Sequence, residues 1–333
     1  MKEEKKKRRI APPGALLLCF AAIAGIWAVD FVCRCVSVPS EESIVDEGNF
    51  KNGNNTAVTM EEASQSSDSS GELYIQDAEA SISTIGTEDT VPEGCVTVPQ
   101  DETAVHNGML VQLDSTHSYQ GNTGNLVTFD NKNDSYRMKR LDLTVQEDVV
   151  TAMNSLGSAY QNANGSADLM VYSTTAAYAV DGSLYPDVLP DRSSGYCVDL
   201  CILNADESIS KISENTWLEN NAYLYGFVFS YTEADEATTG IAAAPYHLRY
   251  VGAVHAGIMH EQNLTLSEYY DFLKSHTISV PLYYTVNGTV YTVYYVPAND
   301  GTTEVPVPLN ANYEISGNNS DGYIVTAEGK IGE

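Results

Sequence analysis

The chain has 333 residues and a formal net charge of -28, from 45 acidic and 17 basic side chains. That length accommodates one or two domains with a sizeable core. A body this acidic repels phosphate backbones, which argues against nucleic-acid binding and also favours solubility.

Basic residues gather at the front. Lys2, Lys5, Lys6, Lys7, Arg8 and Arg9 form a head over residues 1–9, and Ile10–Val29 then runs without a charge. At 1.5 Å per residue such a run reaches about 30 Å, the hydrocarbon thickness of a bilayer. A transmembrane signal anchor is therefore expected over 10–32. Its basic flank would stay cytoplasmic and the body would lie outside the membrane. Pro12 and Pro13 fall near the start, where a helix tolerates them. A cleaved signal peptide is the alternative. Ala22-Ile23-Ala24 offers a small-residue cleavage site, but Trp27, Phe31 and Val32 carry the apolar stretch past it. Leucines before Cys19 argue against a lipoprotein cysteine. Residues 38–92 are rich in Ser, Asn and acid and poor in large apolar side chains. They read as a disordered tether that cannot bury enough surface to offset chain entropy.

The ordered body is expected from residue 93 onward. Gly108-Met-Leu-Val-Gln-Leu is a strand candidate, and HSYQGNTGNLVTF reads as turn then strand. Asp130-Asn-Lys-Asn-Asp134 lacks the glycine and distal glutamate of a calcium loop and reads as a turn. Thr144-Val-Gln-Glu147 has the form of a capping box. Val149, Val150, Met153, Leu156 and Tyr160 follow at helical spacing, predicting an amphipathic helix over about 145–162, ended by Asn164-Gly165. Strands are expected at Leu169–Tyr172, Tyr196–Leu203, Phe227–Tyr231 and around His247, with a helix over Thr216–Tyr225 closed by Gly226. Helices are expected over Val254–Glu261 and after a second capping box, Thr265-Leu-Ser-Glu268. Alternating strands with helices to one side imply an α+β class. From Ile278 the pattern changes. Two alternating runs around Asn287-Gly288 predict a hairpin, and two or three further short strands complete a small all-β appendage over 278–333. Its tyrosines are expected to pack or cover the sheet.

Two segments carry the chemistry: PDRSSGYCVDL at 190–200 and GIAAAPYHLRYVG at 240–252, with WLENNAYLYGFVFSY between them. Their order and wording closely resemble the VanY-type D-alanyl-D-alanine carboxypeptidases, zinc peptidases that trim the terminal D-Ala of peptidoglycan stem peptides. The resemblance runs from about His106 to Lys274. It implies a VanY/hedgehog-like zinc-peptidase fold, an antiparallel sheet with flanking helices, over 93–277. The β extension looks like a tail attached to some Gram-positive members.

The family's first zinc segment reads Ser-x-His-x-x-Gly-x-x-x-Asp. Its glycine falls on Gly195 and its aspartate on Asp199, but its histidine falls on Arg192 and its serine on Pro190. The second segment reads Glu-Pro-Trp-His, with the glutamate as general base and the histidine as a zinc ligand; here it is Ala244-Pro245-Tyr246-His247. The substrate-gripping arginine of Ser-x-Tyr-Arg falls on Ala176, in Ser173-Thr174-Thr175-Ala176. The link from Ser173 to Arg192 is short for the family, which implies loss of a helix bearing a substrate-side glutamine. Asp199 and His247 are thus the retained metal ligands. Arg192 replaces the third and is expected to pair with Asp199, Ala244 stands at the general-base position, and no catalytic residue is intact. Zinc, the family's cofactor, is not expected here, since hydrolysis needs three protein ligands and an open water position. One rescue is weighed: Cys197, Asp199 and Cys201 share a strand face, and one cysteine with Asp199 and His247 could hold a metal. The two thiols are too far apart along a strand for one ion or a disulfide. Otherwise they are small buried thiols. Cys95 could pair with either strand cysteine. His255 reads as a packing or hydrogen-bonding residue, and His106, His117, His260 and His276 fall in loop or helix-surface contexts.

Three functions follow. The first is an anchored, non-catalytic relative that holds a wall peptide or partner protein. The second is an active carboxypeptidase with rebuilt ligands. In the third, the β tail binds and the peptidase-like part is a spacer.

Overall fold

The computed structural model describes residues 72–75, 91–175, 189–212 and 215–331. The expected basic head and anchor, most of the expected tether, and Ala176 lie outside the described residues. In chain order the strands begin with β1 (Glu72–Ile75), β2 (Cys95–Gln100), β3 (Val127–Thr128), β4 (Arg137–Met138) and β5 (Thr144–Val145). Helix α1 (Glu147–Asn164) leads to β6 (Leu169–Ser173), a 3-10 turn at Pro190–Ser194, β7 (Cys197–Leu203) and β8 (Ile209–Lys211). Then come α2 (Thr216–Asn221), a second 3-10 turn (Ala222–Tyr225), β9 (Phe227–Phe229), α3 (Glu236–Thr239), β10 (His247–Tyr250), α4 (Ala253–Gln262) and α5 (Leu266–Lys274). The chain closes with β11 (Leu282–Val286), β12 (Thr289–Pro297), β13 (Thr303–Pro308), β14 (Tyr313–Gly317) and β15 (Gly322–Glu328).

A six-stranded sheet has the order β4-β6-β7-β10-β9, with β8 paired to β7. All its pairs are antiparallel except β4 with β6. Because side chains alternate along a strand, Val198, Leu200 and Ile202 of β7 and Leu248 of β10 turn to one face. There they join Val149, Val150, Met153 and Leu156 of α1 in one buried cluster. Cys197, Asp199, His247 and Arg249 take the opposite face, and that face carries the site.

Helix α1 starts differently from the expected capping box. Thr144 pairs with Thr128 in a two-stranded ladder, and Gln146 stands at the N-cap without a side-chain cap bond. Its amide instead donates to Thr123 O and Ser194 O. Strand pairing thus outcompeted the local cap. The second capping box forms as expected, Thr265 and Glu268 each satisfying the other's backbone.

In the GMLVQL segment Met109, Leu110, Val111 and Leu113 are buried, but no strand forms. Side chains and isolated backbone groups take the place of a ladder: Leu110 N donates to Ser316 Oγ, Gln112 N to Asn318 O, and Met109 O and Val111 O accept from Arg249.

A five-stranded sheet, order β1-β11-β12-β15-β14, forms beyond α5. Asn287 and Gly288 both have positive φ, at 51° and 80°, as a two-residue type I′ hairpin turn requires. Tyr284, Tyr294, Tyr295 and Tyr323 are buried in this β region. The strands do not hang free. Leu282, Tyr284, Val293 and Ile324 share a core with Val254, Ile258 and Met259 of α4 and with Tyr269 and Leu273 of α5. Gly257 permits that approach, since a Cβ there would lie 2.2 Å from the Tyr284 hydroxyl. Strand β1 pairs with β11 and lies within the stretch expected to be tether.

Candidate functional site: a closed His247 cluster

Strands β7 and β10 run antiparallel with His247 opposite Asp199 and Arg249 opposite Cys197. The register places the two residues expected as retained ligands side by side. Above them lies the 3-10 turn at Pro190–Ser194. Pro190 begins it, and Gly195 ends it at φ 80°, where a Cβ would meet Leu126. The turn lowers both Asp191 and Arg192 onto the sheet, where they are buried.

Four side chains then close on one another. His247 Nδ1 donates to Asp199 Oδ1 at 2.8 Å, and His247 Nε2 donates to the Asp191 carboxylate at 3.0 Å. Arg192 Nη2 donates to Asp199 Oδ2 at 2.5 Å, and its Nη1 to Thr174 O at 2.9 Å. Ser230 Oγ donates to Asp191 Oδ2 at 3.0 Å. Two carboxylates are thus met by a guanidinium and an imidazole that donates from both nitrogens. Tyr231 stacks on the His247 ring, with centroids 5.8 Å apart.

The electrostatics match this donor count. Burial would push His247 towards its neutral form, but the Asp191 charge and the bonds to both carboxylates hold its pKa well above the ordinary value. Burial likewise opposes ionisation of Asp191, yet the His247 charge and hydrogen bond keep its pKa well below the usual carboxylate range. The pairing expected between Arg192 and Asp199 is present. Asp191 was not read from the sequence as a site residue, because it falls on an unspecified position of the family pattern. The available signal was the turn that puts it beside Arg192.

Ala244 is buried with Leu189 and Tyr231 in a small apolar cluster. Its amide donates to Tyr231 O, and its carbonyl accepts from His247 N. A methyl group therefore packs at the position expected for the general base. Arg249 is wholly buried, and its Nη2 spans Met109 O and Val111 O at 2.9 and 3.1 Å. Cys197 lies on the site face, and Asp191, Cys197 and His247 bring ligand atoms within 4.8 Å of one another. Cys201 shares the strand face but donates to Met170 O. Cys95, Cys197 and Cys201 are all free thiols.

Residues 190–253 match the family model described as VanY, D-alanyl-D-alanine carboxypeptidase. This segment of the chain is VanY-type in sequence. It is 47% identical over 128 residues to a D-alanyl-D-alanine carboxypeptidase of Enterococcus faecium, a match that covers 37% of this chain and 41% of that one. It is 33% identical over 86 residues to the putative carboxypeptidase YodJ of Bacillus subtilis, covering 26% of this chain and 29% of that one. The matches span less than half the length of either relative. Among solved structures, the vancomycin-resistance D,D-dipeptidase VanXYg superposes with a TM-score of 0.56 at 22% identity, over 71% of this chain and 99% of that one, and so shares the fold.

The family's zinc does not fit the residues in the family's own ligand positions. Both oxygens of Asp199 are committed, one to His247 and one to Arg192. The third ligand position holds a permanent cation that repels a dication and cannot ligate.

The other histidines take ordinary roles. His255 Nδ1 meets Tyr269 Oη at 2.7 Å and its Nε2 meets Thr326 Oγ1 at 2.8 Å, a hydrogen-bonding position as expected. His106 bonds Asn319, His117 bonds Asp114, and His260 stacks on Tyr223. His276 lies in the loop after α5 and is buried there against Phe272.

Proposed function

We propose that this chain is a membrane-anchored, extracytoplasmic member of the VanY-type family that binds a peptidoglycan stem peptide or a wall protein without hydrolysing it. The observation that carries this reading is the closed cluster of Arg192, Asp199, His247 and Asp191, with Ala244 packed at the base position. Loss of a general base alone removes about 10²–10⁴-fold of rate. Loss of the metal in the family's position removes the activated water as well. His247 and Asp199 have relative exposures of 0% and 1%, so neither presents a free atom to a substrate.

The proposed recognition surface lies elsewhere. A cleft of about 490 Å³ lies between α1, α4 and the β11–β12 hairpin, lined among others by Asp148, Tyr223, Tyr225, Tyr250 and Tyr284. Tyrosine faces and a carboxylate suit a ligand carrying both apolar and amine groups.

Release of D-Ala from a stem-pentapeptide mimic, followed on the soluble body with and without added zinc, tests the reading, together with sedimentation on wall sacculi. No release and retained binding are expected. Release that disappears in His247→Ala would establish the rebuilt-site enzyme instead. Assigning binding to the β strands alone is not a matter of deleting 278–333, because that deletion strips the shared core from α4 and α5.

A further inference from the structure

We propose that Asp191, Cys197 and His247 form a buried site for a thiophilic divalent cation of the zinc or cobalt(II) class, built from a ligand set different from the one the family uses. The three donors lie within 4.8 Å of one another and are 1%, 0% and 0% exposed. Carboxylate, thiolate and imidazole together make a borderline-soft set. It suits zinc and its spectroscopic substitute cobalt(II), while magnesium and calcium favour oxygen alone.

Each donor is placed by a separate part of the fold. His247 and Cys197 come from facing strands, on the same face of the sheet, two residues apart in register. Asp191 descends from the 3-10 turn above them. Relative to the retained and replaced family positions, the set moves back by one residue in the turn, from 192 to 191, and by two along β7, from 199 to 197.

The surrounding bonds take on a defined purpose in this arrangement. Asp199 accepts the Nδ1 proton of His247, which fixes the tautomer and turns Nε2 towards Asp191. Arg192 holds the other oxygen of Asp199, and Ser230 holds Asp191. A carboxylate behind a ligating imidazole and a hydroxyl behind a ligating carboxylate are the outer contacts that orient metal ligands. Asp199 thereby changes from ligand to positioning residue, and Arg192 holds it in place.

Charge is conserved on loading. The dication enters as two protons leave, one from His247 Nε2 and one from Cys197 Sγ, while Asp191 stays ionised. Arg192 and Arg249 keep their charges throughout, Arg249 resting on Met109 O and Val111 O. All three donors are buried, so an ion held there is out of reach of a substrate, and its fourth position is not supplied by these residues. The inference therefore stands apart from the proposal of non-hydrolytic binding.

The test is cobalt(II) and zinc titration of the full chain after chelator treatment. Cobalt binding is read as thiolate-to-cobalt charge-transfer absorption, and zinc stoichiometry by elemental analysis. One equivalent of metal, the charge-transfer band and release of about two protons per ion are expected. Cys197→Ser should lose the band, and Cys201→Ser, altering the neighbouring thiol on the same face, should keep it. Should Cys197→Ser fail to fold, Asp191→Asn carries the same expectation of weakened binding with native circular dichroism as the control. No band in the wild type, a band that survives Cys197→Ser, or cobalt held without thiolate absorption would overturn the site. D-Ala release is scored separately, so a metal-loaded chain that releases none leaves both proposals standing.

Discussion

His247 and His255 are eight residues apart and equally buried, yet their surroundings dictate opposite protonation. His247 meets two carboxylates and carries a charge that an arginine helps to balance. His255 meets two hydroxyls, and burial alone pushes its pKa down to about 3. The first occupies the position from which relatives are expected to hold zinc. The second stitches α4 to α5 and β15, joining the peptidase-like core to the C-terminal sheet. A buried histidine is therefore neither evidence for nor against chemistry; its partners decide.

The largest way to break the comparison is to remove the arginine. Arg192→Leu leaves Asp199 and Asp191 sharing one imidazolium and should cost about 3–5 kcal/mol in urea unfolding, since one partner of a buried ion pair has gone. A change near zero would mean the cluster does not hold a fixed charge.

Acidity separates the two histidines next. In the metal-free protein, the stability contributed by His247 is present below pH about 6.5 and lost as pH rises through its raised native value. The contribution of Asp191 is present above its unfolded value and lost as pH falls through its depressed native one. His255 runs against His247: its neutral native form loses ground as pH falls from about 6.5 towards 3, because the unfolded chain takes up the proton first. Ring proton shifts in NMR should show His247 as imidazolium and His255 as neutral at pH about 7. Ordinary titration of both near 6.5 would refute the distinction.

A smaller effect tests the seam. Thr326→Val deprives His255 Nε2 of its partner and should cost about 1–3 kcal/mol without altering the His247 ring shifts. Smaller again, Thr265→Ala removes the capping box of α5 and should cost about 1 kcal/mol, read as a shift in the urea midpoint.

Much of this was legible in the residues. Period-two alternation located β7 and β10, and Asn287-Gly288 located the hairpin, because in each case local preference and burial agree. The motif wording put Asp199 and His247 together and Arg192 on Asp199. What escaped depended on distant contacts. Met109–Val111 looks like a strand and is instead a cover whose carbonyls serve Arg249. Thr144 looks like a cap and is claimed by Thr128. Asp191 carries no pattern of its own and becomes a site residue only when a turn folds it over β10.

We propose that the His247 cluster is closed to hydrolysis. Quantifying D-Ala released from a stem-pentapeptide mimic by the soluble body, at several zinc concentrations, addresses it most directly. No release at any zinc level is predicted; release that vanishes in His247→Ala would contradict the claim.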